Sequence, residues 1–151
     1  MIGIVCYDPS DREYFASLLK WQQSLNCKFI GLCCDRKHTE LDISKNERDN
    51  IEHGILTTDF MIILVGKFTY EKTLIKSEYR NLIAYAISEN NRQKKKLLIV
   101  KLQQENAVPM EAYGIGAEWA HEFSEEALNR GIFNLFNNDS GFSDWREYIK
   151  N

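Results

Sequence analysis

The 151-residue sequence lacks the marks of several large protein classes. Its apolar runs all fall well short of the ~20 residues that a membrane-spanning helix needs. Its first residues have neither the basic flank nor the small-residue cleavage site of a signal peptide. The net charge of −3 offers no broad basic surface to nucleic acid or to an anionic membrane. We therefore expect a cytoplasmic protein with neither nucleic-acid nor membrane partners.

Common motifs for phosphate binding and hydrolysis are also missing. There is no G-x-x-x-x-G-K-[ST] phosphate loop and no G-x-G-x-x-G turn. There is no G-x-S-x-G elbow and no H-E-x-x-H pair. The three histidines are scattered along the chain rather than spaced as metal ligands, so we expect no metal site.

The sequence contains four cysteines, and none of them forms a C-x-x-C pair. Cys33 and Cys34 are adjacent in a predicted strand, so their side chains would point to opposite faces and would share a metal ion poorly. Cys6 and Cys27 also lie in or beside apolar segments. These positions predict buried free thiols in a reducing compartment, in keeping with a cytoplasmic location.

The chain alternates between strand-like and helix-like segments. Short apolar, β-rich runs predict strands at 2–7, 28–34, 60–65 and 97–102, with a short edge strand at 118–123. Apolar residues at helical spacing predict helices at 9–25, 44–53 and 74–90, another from 124, and a last turn or two at 143–149. This order predicts one domain, 1–151, with an α/β flavodoxin-like three-layer fold. Its central parallel sheet would have about five strands, with helices on both faces.

Several residues mark where the predicted helices begin and end. Asp8 can cap the first helix, Pro9 suits its first position, and Asp11 suits its first turn. Ser44 opens a capping box that is completed by a glutamate three residues later. Gly54 follows as the expected end of that helix.

Ligands of such sheets bind beyond the C-terminal ends of the strands, where the strand order reverses. This rule brings together three predicted loops, 7–11, 35–41 and 66–73. Gly66 and Lys67 open the third loop, where a response-regulator receiver would carry its phosphoacceptor aspartate, and this argues against a receiver. We therefore expect the candidate site among these loops, but their position does not indicate which reaction takes place there.

The segment around the third predicted strand carries a resemblance to a known family. The apolar run 60–65 ends in Gly66 and a polar turn, and Leu74 and Ile75 then stand shortly before Glu78. Together with the capped helix before it and the loop 7–10, this arrangement resembles TIR-like proteins, above all the short bacterial TIR-like proteins of the Thoeris antiphage system. The resemblance spans the stretch 1–102. It departs from the family at Leu74, where a tryptophan is usual, and the stretch 103–151 has no feature to match.

What the resemblance implies is an enzyme that cleaves the nicotinamide–ribose bond of NAD, with NAD as its substrate and no further cofactor. The catalytic glutamate of the family corresponds to Glu78. Loss of nicotinamide leaves an oxocarbenium-like ribose, and a carboxylate beside it would stabilise that charge. The remaining ADP-ribose would be hydrolysed or cyclised, and in the Thoeris case the product activates a separate effector protein. Such enzymes are triggered by infection or assembly, so a homo-oligomer is a further candidate partner.

Five residues in the predicted loops are candidates for substrate binding: Tyr7, Asp8, Ser10, Arg36 and Lys37. Tyr7 could stack on the nicotinamide or adenine ring, or simply close the edge of the core. Asp8 and Ser10 could contact ribose or phosphate, although both also suit a helix start. Arg36 and Lys37 suit a pyrophosphate, and in TIR-like proteins their loop borders the active site and mediates assembly. An ordinary solvated loop is the alternative.

Two other functions stay open at this point. A nucleoside deoxyribosyltransferase shares the layout and also uses a glutamate at an N-glycosidic bond, but no convincing nucleophile stands on a different element. A TIR-like scaffold or adaptor would bind partners through the loop around Arg36 without catalysis. Glu78 would then be an ordinary glutamate in the first turns of a helix, where the helix dipole favours a carboxylate.

Overall fold

Five strands form the centre of the protein in a computed structural model, which describes residues 1–34, 43–69 and 82–137. The strands are β1 Ile2–Tyr7, β2 Lys28–Cys33, β3 Phe60–Val65, β4 Lys96–Lys101 and β5 Glu118–Ala120. Their order in the sheet is β2-β1-β3-β4-β5, and every neighbouring pair is parallel. Each connection therefore has to cross a face of the sheet, which brings the intervening helices onto it.

Helices cover both faces of this sheet. They are α1 Arg12–Lys20, α2 Gln22–Leu25, α3 Lys45–Leu56, α4 Leu82–Arg92 and α5 Glu125–Asn137, with 3-10 turns at Pro9–Asp11 and Met110–Ala112. Residues of α3 and α4 pack on one face, and residues of α1, α2 and α5 pack on the other. The predicted α/β three-layer fold is confirmed, and its strand order is the flavodoxin-like one. None of the helices in the described ranges is long and apolar enough to cross a membrane.

Strand β3 is buried along its whole length. All six of its residues have a relative exposure of 0%. Met61, Ile63 and Val65 enter the core on the side of α3 and α4. The alternate residues, Phe60, Ile62 and Leu64, enter the core on the side of α1 and α5. A strand with two apolar faces needs a helical layer on each, so β3 alone requires the three-layer arrangement.

The strands agree closely with the ranges predicted from the sequence. Strands β1 and β3 match their predicted ranges, β2 ends one residue earlier than predicted, and β4 both begins and ends one residue earlier. The edge strand β5 is shorter than predicted and ends at Ala120. All four cysteines are free, with three of them buried and Cys33 half-buried. The prediction of free thiols is therefore confirmed, and Cys33 is the one that departs from full burial.

Two predicted helices differ from the structure, the first in its interior and the second at its end, whereas Asn26 ends the first as expected. The helix expected over 9–25 is divided: a 3-10 turn precedes α1, and the chain breaks at Trp21 before the short α2. Helix α3 does not stop at Gly54 but continues to Leu56. The glycine serves packing instead, because a Cβ at this position would lie 2.8 Å from Ile4 Cδ1. Its small size lets α3 approach β1 closely.

Two other helical predictions are met in part. Helix α4 covers the second half of the predicted 74–90 helix, whereas 74–81 and the predicted turn at 143–149 lie outside the described residues. On α5, Leu128 and Ile132 are buried as expected, but Phe133 is 62% exposed. The apolar stripe of α5 therefore excludes Phe133, which lies on its solvent side.

The start of α3 provides a test of the predicted cap. Ser44 Oγ accepts a hydrogen bond from the Glu47 N–H at 3.1 Å, and the Glu47 carboxylate accepts one from the Ser44 N–H at 3.2 Å. We expect Ser44→Ala to lower the free energy of unfolding by about 1 kcal/mol, because one N–H of the first helical turn loses its partner. Urea denaturation measures the change.

The matched control for this test is Ser17→Ala in the middle of α1. The Ser17 hydroxyl donates only to the Glu13 carbonyl of its own helix, at 3.3 Å, and such back-bonding does not stabilise a helix. We expect no loss of stability from this variant. Equal losses from the two substitutions would contradict the capping role of Ser44.

Candidate functional site

The strand order reverses between β1 and β3. The chain first adds β2 on one side of β1 and then adds β3 on the other side. The C-terminal ends of β1 and β3 lie side by side, with Cys6 paired with Ile63. Loops that leave such a pair diverge over opposite faces and leave a crevice between them. This place, which we call the β1–β3 crevice, brings the segment 7–11 next to Gly66.

Tyr7 ends β1 and closes the core at the crevice. It is 7% exposed, and its ring stacks on Phe15 with a centroid distance of 4.9 Å. Burial raises the pKa of the Tyr7 hydroxyl, and the neighbouring Cys33 raises it further. The guanidinium of Arg12 reaches the same group and donates to Cys33 Sγ at 3.7 Å. Tyr7 thus has the position of a core-edge tyrosine, and its contact with a nucleotide ring stays a prediction.

Asp8 and Ser10 are brought together by the turn that follows β1. Asp8 caps the 3-10 turn: its Oδ2 accepts from the Ser10 N–H at 2.9 Å and also from the Ser10 hydroxyl. Asp8 is buried, with 4% exposure, whereas Ser10 is exposed. The helix-start role predicted for these residues is confirmed. Their contact with substrate stays a prediction, and the exposed Ser10 is the one within easy reach of solvent.

Asp11 is the residue that the sequence did not single out for function. Only 6% of it is exposed, and its Oδ2 is buried without a hydrogen-bond partner. Burial raises the pKa of Asp11 to about 6, with a further contribution from the negative charge of Asp8. A buried carboxyl oxygen without a donor is rare in proteins, because the loss of hydration is not replaced. Such a group points to a functional site when it lies at a place where ligands bind.

Gly66 makes room for the Asp11 carboxyl. A Cβ on Gly66 would lie 2.0 Å from Asp11 Oδ2 and 2.4 Å from Asp11 Cγ, so no side chain fits there without movement. Position 66 therefore has to be a glycine, because the Asp11 side chain from the loop after the neighbouring strand β1 fills the space that a Cβ would need. The two loops of the β1–β3 crevice meet at this contact.

The turn after β3 is held rigidly. The fully buried Thr69 accepts from the Gly66 N–H through its Oγ1 at 2.9 Å and donates to the Leu64 carbonyl at 3.3 Å. From the β4 side, Asn106 Nδ2 donates to the Val65 carbonyl at 2.9 Å. Asp11 lies against the same turn from the β1 side. A site on this turn would rest on the core rather than on a free loop.

Three predicted site residues lie outside the described residues. They are Glu78, Arg36 and Lys37. Their roles stay predictions from the resemblance. In the described ranges, no group of three or more His, Cys, Asp or Glu residues could hold a metal ion.

Two surface pockets lie away from the β1–β3 crevice. One, of about 600 Å³, is at the N-terminal edge of the sheet and is lined by Met1, Ile2, Gln22, Gln23, Asn26, Cys27 and Lys28. The other, of about 400 Å³, lies between α3 and α4 and is lined by Asp49, Glu52, His53, Leu56, Glu89, Arg92 and Gln93. Ligands of parallel sheets bind at the opposite, C-terminal edge, so we give the crevice more weight than either pocket.

Comparison with known proteins supports the fold and goes no further. No model of a protein family matches this chain, and no curated protein matches it. The chain is similar in structure to a 3-dehydroquinate dehydratase-like protein from Bifidobacterium longum, with a TM-score of 0.56. The similarity covers 93% of this chain and 98% of that one, at 12% sequence identity. At so low an identity the likeness shows the shared α/β fold alone.

The contact between Asp11 and Gly66 can be tested by a double-mutant cycle. We expect Gly66→Ala to lower the free energy of unfolding by about 1–3 kcal/mol, because the added methyl group overlaps the Asp11 carboxyl. In an Asp11→Ala background the same substitution should cost clearly less. Urea denaturation of the four proteins gives the coupling. Losses that add to within about 0.5 kcal/mol would show that the two residues do not touch.

The raised pKa of Asp11 predicts a pH dependence of stability. Its pKa in the folded protein is about 6, above the ordinary 3.8, so the folded state binds this proton more tightly than the unfolded chain. The contribution of Asp11 to stability is therefore complete below about pH 4 and is lost as the pH rises to about 6. Asp11→Asn cannot ionise, so we expect it to gain stability over the wild type across this interval.

The measurement is urea denaturation of both proteins at several pH values across that interval and at neutral pH. The stability difference between Asp11→Asn and the wild type should grow with pH and then level off. A difference that is the same at every pH would contradict the account of Asp11.

Proposed function

We propose that this chain is a TIR-like enzyme that cleaves the nicotinamide–ribose bond of NAD in antiphage defence. The observation that carries the proposal is the position of β3, the strand on which the resemblance rests. It lies at the centre of the sheet, and Gly66 at its end meets the loop after β1 at the reversal of strand order. Ligands of this fold class bind at that reversal. The capped helix α3 before β3 also accords with the family pattern.

In the proposed reaction the bond between ribose C1′ and the nicotinamide nitrogen breaks, and its electron pair leaves with nicotinamide. The ribose becomes an oxocarbenium-like cation, which the carboxylate of Glu78 would stabilise. Water, or a nucleophilic group of the same ADP-ribose, then bonds to C1′ and loses its proton. The first route gives a hydrolysed product and the second a cyclic one.

The substrate contacts in this proposal come from two loops. Tyr7, Asp8 and Ser10 would contribute from the β1–β3 crevice, and Arg36 and Lys37 from the segment after β2. The product would be an ADP-ribose-derived signal for a separate effector protein in the cytoplasm. Infection, or assembly into a homo-oligomer, would provide the trigger.

The test is incubation of wild-type and Glu78→Gln protein with NAD in lysate from phage-infected cells, followed by mass spectrometry. We expect the wild type to release nicotinamide and form a new ADP-ribose product. Glu78→Gln should be slower by about a hundredfold or more, because the developing ribose cation loses its carboxylate.

Glu105→Gln is the matched control for this experiment. It makes the same chemical change at an exposed residue after β4. We expect it to cleave NAD at the wild-type rate. Equal and negligible turnover by all three folded proteins would contradict the proposed function and favour a binding protein.

A further inference from the structure

The pocket of about 600 Å³ at the N-terminal edge of the sheet has no role in the proposed function. We call it the N-terminal-edge pocket. Its lining combines apolar and polar side chains, among them Met1, Ile2, Cys27, Gln23, Asn26 and Lys28. Met1 is 51% exposed, so apolar surface at the pocket is open to water. The volume is in the range of pockets that bury most of what they bind.

Helix α5 brings the chain to this same edge of the sheet. Phe136, in its last turn, packs edge-to-face on Phe60, the first residue of β3, with ring centroids 5.6 Å apart. The ring of Phe60 lies over Gly3, because a Cβ on Gly3 would be 2.6 Å from Phe60 Cζ. Gly3 directly follows Ile2, which lines the pocket. The chain beyond Asn137 therefore continues from the edge where the pocket lies.

The pocket and the end of α5 also share one face of the sheet. Cys27 belongs to the same core cluster as Phe60, Ile132 and Leu135. Five extended residues span about 17 Å, so a short stretch of chain covers a large part of a small domain. A segment that begins at residue 138 can therefore follow the edge of the sheet to the pocket without crossing to the other face.

The sequence after α5 has an apolar stripe that needs a partner. Residues 138–151 lie outside the described residues, and their large apolar side chains are Phe142, Trp145, Tyr148 and Ile149. On the helix that the sequence predicts over 143–149, these four positions fall within about 120° of one another. Glu147 falls on the opposite side. Such a stripe is stable only when an apolar surface covers it.

We propose that the N-terminal-edge pocket is the docking site of the chain's own segment 142–149, with Trp145 inserted beside Met1, Ile2 and Cys27. Only a few residues join this segment to α5, and a short linker gives an effective concentration on the order of millimolar at the pocket. A free peptide or a second copy of the chain has to compete with it. The inference concerns the edge opposite the β1–β3 crevice and does not depend on the proposed function.

The direct test is NMR of the full wild-type chain, with NOEs measured between the Trp145 indole and the methyl groups of Met1 and Ile2. We expect these NOEs within one chain. Their absence overturns the inference, including the case in which Trp145 instead contacts the exposed Phe133 of α5. A mixture of isotope-labelled and unlabelled chains tests the remaining case. NOEs between chains in that mixture would show that a second copy fills the pocket, and would overturn docking within one chain.

A synthetic peptide of sequence 138–151 measures the occupancy of the pocket by competition. Trp145→Ala should free the pocket, whereas Glu147→Ala is the matched control on the opposite side of the predicted helix. We expect the peptide to bind Trp145→Ala about tenfold or more tightly than it binds the wild type or Glu147→Ala, because in those two the pocket is already filled. Amide signals of Ile2, Cys27 and Lys28 report the titration.

Equal affinity of the peptide for the three folded proteins would overturn the inference. Failure to bind Trp145→Ala at about millimolar peptide would overturn it as well, because the chain's own segment would then be undocked at its effective concentration. The NOE measurement uses no variant and decides the question if Trp145→Ala does not fold.

Discussion

The burial of β3 on both faces and along both edges is the constraint on which the rest of the structure depends. Its backbone N–H and C=O groups find partners only if β1 and β4 pair with it on either side. Its six apolar side chains are removed from water only if helices cover both faces. The strand leaves this core at Gly66, so the packing of β3 fixes the position where the following turn begins. A site beside Gly66 would therefore be held in place by the core.

Most of the architecture could be predicted because the signals are local. Short apolar runs predicted the ranges of β1 to β4 to within one residue at each end, and the Ser44 capping box predicted the start of α3. The prediction that α3 ends at Gly54 was wrong because a glycine can either end a helix or allow close packing. Which of the two applies depends on Ile4, in a strand far away in the sequence. The break at Trp21 has no comparable marker in the sequence. Tertiary contacts decide such cases.

The sequence could predict which loops form the candidate site, but not which of their side chains are buried there. The rule for parallel sheets placed the loops after β1 and β3 together, and the structure brings residue 11 against Gly66. Asp8 and Asp11 look alike in the sequence, since both suit a helix start. Their difference lies in partners: Ser10 donates to Asp8, whereas Asp11 Oδ2 has no donor. Two carboxylates three residues apart after a buried strand were the available signal, but burial of the second depends on the fold.

The central claim is that nucleotide binds at the C-terminal edge of the sheet, in the β1–β3 crevice. The most direct test is to add NAD to ¹⁵N-labelled Glu78→Gln protein and to follow the backbone amide signals by NMR. The account predicts the largest shifts in the segments 7–12 and 66–69. Shifts confined to Met1, Cys27 and Lys28, around the pocket at the opposite edge, would contradict it.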